Sequence, residues 1–248
     1  MKSIARTVSL AFCLLASARC DLAEAGYVVV MADVTPLFPL IYDVYEGFEG
    51  NRLFFRNLSS QPGSVLVTGG APIDPPYRFY KAAENTTAAF TSTELTEEML
   101  ERTTLVLAQG RQSFTMAEAR LLSSHVRNGG NLFIGVDPTS PRGDVAEVNR
   151  AINAANFLLS EMRISMSVTK DALDSGYRVA RGSQIRTHPL TLGVTEFGYG
   201  FTGRVNGGVP LFRSTGRIPF AAAVFVPEPS TIAIAGSSLV ALALRRRK

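Results

Sequence analysis

Short runs of consecutive apolar residues, rich in β-branched side chains, punctuate the chain. Tyr27-Val28-Val29-Val30-Met31, within 26–33, is the first; Ser64 to Thr68, Thr104 to Ala108 and Asn131 to Val136 follow. Such runs without polar alternation predict strands buried on both faces. Between them the apolar spacing lengthens to that of helices, predicted over 51–58, 94–102, 115–126 and 145–162. Thr115-Met116-Ala117-Glu118 matches a capping box, in which the hydroxyl and carboxylate satisfy free N–H groups at a helix start, and Gly129-Gly130 stops the same helix. In the last helix Val148, Ile152, Ala155 and Leu159 fall on one face. Alternating strands and helices predict an α/β domain with a mainly parallel, doubly wound sheet. After Arg163 the pattern becomes 164–168, 197–201, 209–212 and 220–226, strands with Gly-rich turns. This antiparallel β-rich C-terminal extension either widens the sheet or forms a small layer of its own. No internal repeat is evident.

The two ends follow different rules. Residues 1–25 combine a basic start (Lys2, Arg6), an apolar stretch from Val8 to Ala18 and the small-residue site Ala23-Glu24-Ala25, the three parts of a secretory signal peptide. A cut after Ala25 is expected; one after Ala18 would leave Cys20 in the mature chain. Arg19 stands before Cys20 where a lipoprotein has a small residue. The other end reads Pro227-Glu228-Pro229-Ser230-Thr231, an apolar run from Ile232 to Leu244, and Arg245-Arg246-Arg247-Lys248. As a helix that run spans about 20 Å, short of a ~30 Å hydrocarbon core, so a short transmembrane helix is expected. The terminal cations hold it on the cytoplasmic side, which leaves the body outside the inner membrane. The organisation is thus a signal peptide over 1–25, an exported α/β domain over 26–225, and a tail over 226–248.

The tail resembles the PEP-CTERM sorting signal of Gram-negative bacteria in its Pro227-Glu228-Pro229 triplet, its Ala/Gly/Leu-rich helix and its basic terminus. The resemblance implies processing near the triplet by exosortase, a membrane-embedded Cys protease or transpeptidase, in a bacterium that makes exopolysaccharide and a biofilm or floc matrix. The segment from the third strand through Gln109-Gly110, the capped helix, Gly129-Gly130 and the fourth strand resembles class I glutamine-amidotransferase-like proteins of flavodoxin type. There a Cys nucleophile works with His and Glu. The two Cys here, Cys13 and Cys20, both lie in the leader, and no Gly-x-Ser-x-Gly elbow is present, so that activity does not carry over. Thr187-His188-Pro189-Leu190-Thr191-Leu192-Gly193-Val194 is similar to a segment of exported proteins of this type and implies no activity.

Composition changes one point. A formal charge of +4 and a pI near 9.3 would suggest an acidic partner, but seven of the 25 Lys and Arg lie in 1–25 and 230–248, with two of the 21 Asp and Glu. Residues 26–229 therefore carry 18 basic and 19 acidic side chains, and no nucleic-acid partner is expected. The partners implied are signal peptidase, exosortase, the inner membrane transiently, and exopolysaccharide or envelope components. No cofactor and no metal are expected.

In a doubly wound sheet ligands bind beyond the carboxyl ends of the strands. Asp33, Gln109, Arg111 and Asp137 fall there, and His188 precedes Pro189 in a loop. The two Asp could hold a hard cation, act as an acid/base pair, or cap a turn. His125 belongs to the boundary of a helix, and neither His has a companion at metal-ligand spacing. Two functions remain. One is a non-enzymatic surface or matrix protein. The other is a periplasmic or extracellular hydrolase or carbohydrate-modifying enzyme using Asp33, Gln109, Arg111, Asp137 and His188.

Overall fold

The computed structural model describes residues 26–40, 47–59, 63–69, 74–138, 144–174 and 176–227. The expected signal peptide and transmembrane helix, Glu228-Pro229 of the triplet and the basic cluster Arg245 to Lys248 lie outside these residues. Among the described residues no helix is long and apolar enough to cross a membrane.

The fold is mixed α/β. Five parallel strands, β1 (Gly26–Met31), β2 (Ser64–Thr68), β3 (Thr87–Thr91), β4 (Thr103–Gln109) and β5 (Asn131–Gly135), share a sheet with two antiparallel ones, β10 (Val209–Arg213) and β11 (Pro219–Val226). The order is β10-β11-β1-β5-β4-β2-β3. Among the described residues five α-helices accompany it: α1 (Phe48–Leu58), α2 (Pro75–Ala82), α3 (Glu97–Glu101), α4 (Met116–Arg127) and α5 (Val145–Glu161). Of the two options for the C-terminal extension, both occur. β10 and β11 widen the sheet beside β1, while β6 (Met166–Asp174) with β9 (Thr202–Gly207), and β7 (Arg178–Arg181) with β8 (Glu196–Tyr199), form separate two-stranded ribbons.

Each face of the sheet is covered, as continuous apolar strands require. Val28 and Val30 point into a core shared with Leu122 and Val126 of α4 and Val148, Ile152 and Leu159 of α5. Val29 and Met31, alternating with them, enter a more aromatic core with Phe54 and Phe55 of α1, Tyr80 of α2, and Phe197, Phe212 and Phe220. There the Phe197 and Phe212 rings stack at 3.8 Å, and Phe54 meets both edge-on.

Two sequence expectations need correction, and two elements were not predicted. The parallel strands follow 3-2-4-5-1, unlike the flavodoxin-type order 2-1-3-4-5, because β1 lies beyond β5 and pairs on its other side with β11. Strand β3 and helix α2 carry no strong signal: Thr-Ala-Ala-Phe-Thr is a short edge strand with Thr87 and Ala89 exposed and no apolar run, and Pro75-Pro76 looks like a breaker although Pro is well suited to a first helical turn. The helix over 94–102 shrinks to α3, since Thr96 caps it through Met99 N and Leu95 before it is drawn into the core.

The register places Gly26 opposite Val226. The junctions to the leader and to the tail therefore leave the body side by side, at the edge where all five parallel strands begin.

Candidate functional site

Connections leaving β2 and β4 go opposite ways: β2 leads outward to edge strand β3, and β4 leads back to β5. The crevice beyond the carboxyl ends of β2 and β4 is thus the switch point where such sheets bind ligands. Here it is filled from within. Gly69, at φ +84°, turns the chain away from β2, and a Cβ on it would collide with the Gln109 carbonyl oxygen and press on the Arg111 side chain. Only a glycine allows the two strand ends this approach.

Arg111 spans the crevice. Its Nη1 donates to Thr68 Oγ1 at 3.0 Å, its Nη2 lies 2.8 Å from Glu118 Oε1, and its guanidinium sits 4.6 Å over the Phe114 ring. Glu118 is 1% exposed and serves several donors at once. Oε1 also accepts from Leu95 N at 3.1 Å, and Oε2 accepts from Thr115 N at 2.9 Å, closing the capping box of α4. Thr115 Oγ1 in turn donates to Glu94. A guanidinium already matched by a buried carboxylate offers an incoming anion little free charge.

Asp33, 1% exposed, is similarly engaged. Its Oδ1 accepts from Thr35 N and its Oδ2 from Gly200 N, both at 2.7 Å, so it ties the end of β1 to the loop between β8 and β9. Burial pushes its pKa up to about 7, against the lowering pull of those N–H groups, and the charge of Asp137 adds to the rise. Asp137 follows β5 as Asp33 follows β1, two residues beyond the paired Met31 and Gly135. Gln109 pairs with the same Gly135 from the other side, and its buried Oε1 has no hydrogen-bond partner among the described residues.

Four of the five sequence-nominated residues, Asp33, Gln109, Arg111 and Asp137, therefore stand along three adjacent strand ends. At about 4.8 Å per strand, Asp33 and Arg111 are on the order of 10 Å apart across the sheet, with separate hydrogen-bond partners. His188 is elsewhere. Its ring packs edge-on against Tyr27, at the start of β1, some 20 Å of strand away from Asp33. Its Nδ1 accepts from Leu190 N, capping a 3-10 turn over Pro189–Thr191, and burial lowers its pKa. The 187–194 segment is held onto α1 by Asn57, which donates to the carbonyls of Leu190 and Leu192. His125 lies at that same edge with its ring against Gly130, and burial lowers its pKa too. Among the described residues no three His, Cys, Asp or Glu side chains gather as metal ligands would.

Sequence reasoning missed two residues. Glu118 was legible as half of a capping box and not as the partner of Arg111. Asn51 is fully buried in α1, donating to the Pro36 and Gly198 carbonyls and accepting from Gly198 N at 2.7 Å. Its signal was present, since 51, 54, 55 and 58 form one helical stripe in which Asn51 is the polar member beside Phe54, Phe55 and Leu58.

The fold and this edge define an α/β domain with a closed switch-point crevice. The C-terminal end, residues 225–248, matches the PEP-CTERM protein-sorting motif, which marks the chain as an exported protein sorted by exosortase. Comparison with curated proteins finds no match. Among solved structures the chain is similar to the mmIFT52 N-terminal domain at 17% identity, over 64% of this chain and 86% of that one, with a TM-score of 0.46.

Proposed function

We propose that the exported body is a non-enzymatic interaction module of the cell surface or extracellular matrix, acting on envelope or biofilm components such as exopolysaccharide once exosortase has processed the tail. The observation that carries this reading is the commitment of the polar groups at the carboxyl edge: Asp33 fastens a loop and Arg111 is neutralised by Glu118. Catalytic groups need to converge on one reacting atom within about 3–3.5 Å. The rival reading, a hydrolase or carbohydrate-modifying enzyme, draws its support from Asp33 beside Asp137, with a carboxyl that titrates near neutrality.

The two readings part in one experiment. The processed protein, isolated from the cell surface, is mixed with exopolysaccharide from the same cells. It is expected to co-sediment with the polymer and to release no reducing ends or acyl groups. Turnover that Asp33→Asn or Arg111→Lys abolishes would contradict the proposal and establish the enzyme.

A further inference from the structure

The opposite edge of the sheet, where the parallel strands begin, carries a second feature. Helices α4 and α5 run back against the strands, so their ends, at Arg127 and Glu161, come to this edge, with Arg163 just beyond. Together with the ends of β9 and β11 they enclose a groove of about 680 Å³. Its floor is apolar, with Met162, Ile164, Val224 and Val226, and its rim holds the two exposed guanidinium groups. No carboxylate is present among the described residues that line it. At the same edge, on the other face of β11 from Val224 and Val226, the Phe225 ring is 53% exposed and packs on Tyr27, whose ring also meets His188. An edge that carries Arg side chains on one face and an exposed aromatic ring on the other suits a membrane interface.

Chain geometry puts this edge at a membrane. Pro227 lines the groove, and five residues later, at Ile232, the apolar run of the tail begins. Five residues at full extension reach about 18 Å, so the groove stays within that distance of the bilayer while the tail is inserted. The leader departs from the same place, because Gly26 pairs with Val226. An inserted tail thus holds the body by this edge, as the leader does until it is cut, with the carboxyl edge of the sheet facing away.

We propose that this edge rests on the bilayer during sorting and that the groove takes an anionic phospholipid of the outer leaflet, its phosphate on Arg127 and Arg163 and its acyl carbons on the apolar floor. The assignment rests on the tail being membrane-inserted, as the sorting motif implies.

The test uses the full chain with Cys13→Ser and Cys20→Ser, which leaves no other Cys in the sequence. An environment-sensitive dye is placed either at Phe225→Cys or, as a control at the carboxyl edge, at Ser113→Cys, which is exposed. Each protein is reconstituted into phosphatidylcholine vesicles with and without phosphatidylglycerol, and quenching by brominated acyl chains is read. The dye at 225 is expected to be quenched several-fold more than the dye at 113 when phosphatidylglycerol is present. That excess is expected to fall in high salt, and to vanish with Arg127→Gln plus Arg163→Gln in a protein of unchanged melting temperature. A chain that floats with the vesicles yet shows equal quenching at 225 and 113 would overturn the docking proposal and leave sorting intact. Excess quenching at 225 that ignores both lipid charge and the two Arg substitutions would overturn the lipid assignment. A chain that fails to float at all would overturn the inserted tail, and the proposal with it.

Discussion

Replacing Glu118 by Ala is expected to destabilise the domain by ~3–5 kcal/mol, the cost of leaving a buried charge without its counter-ion. Two losses combine. Arg111, with 16% of its side chain exposed, would keep its charge in the crevice with Thr68 as its remaining hydrogen-bond partner among the described residues. The N–H groups of Leu95 and Thr115 would lose their acceptor, the second of them at the start of α4. Urea unfolding of the two proteins checks this through the midpoint. Because the cost comes from a stranded partner, Arg111→Met in the Glu118→Ala background is expected to restore part of the stability, whereas Arg111→Met alone is expected to be destabilising. A Glu118→Ala protein within 0.5 kcal/mol of the parent would show that the ion pair contributes nothing measurable.

Asp33 is expected to dominate the pH dependence of stability across the acid range. Its carboxyl ionises near 3.8 in the unfolded chain and near 7 in the folded one. Between those values the folded protein holds a proton that the unfolded chain has lost, so stability decreases as pH rises. The contribution is fully present below about pH 4, declines through the window and levels off above 7. Three units correspond to ~4 kcal/mol. Burial sets this direction; were the two backbone N–H groups dominant, the carboxyl would have moved downward. Asp33→Asn removes the titration and keeps one acceptor oxygen, so the difference in stability between parent and variant is expected to shift by ~4 kcal/mol in favour of the variant between pH 4 and pH 7.5. His125 and His188, whose pKa values are lowered, lose stability in the opposite direction, as pH falls, and do so in both proteins. Parallel stability curves for parent and Asp33→Asn would contradict the account.

The parts of the fold legible in the sequence are those fixed by local chemistry. β1, β2, β4 and β5 were apparent because a strand buried on both faces must be apolar throughout, and α4 because its cap is written as Thr115 and Glu118 with Gly129-Gly130 behind it. What stayed hidden depends on partners distant in sequence. β3 is an edge strand whose half-exposed residues carry no run, and β11 reads as a strand without revealing that it pairs with β1 and displaces the expected strand order. At the candidate site, the residue types after each strand were apparent and their engagements were not. Asp33 finds Gly200 across 167 positions, and His188 is carried to the far edge by a contact with Tyr27. The tail needed no tertiary information, because a sorting signal is read as a linear segment by another protein.

We propose that the tail is a sorting label removed by exosortase, after which the body acts on its own. Intact-mass measurement of the surface protein from cells with and without exosortase tests it most directly. Loss of the residues beyond Pro227-Glu228-Pro229 is expected only where exosortase is present. A mature protein that still ends at Lys248 in cells with exosortase would contradict the account.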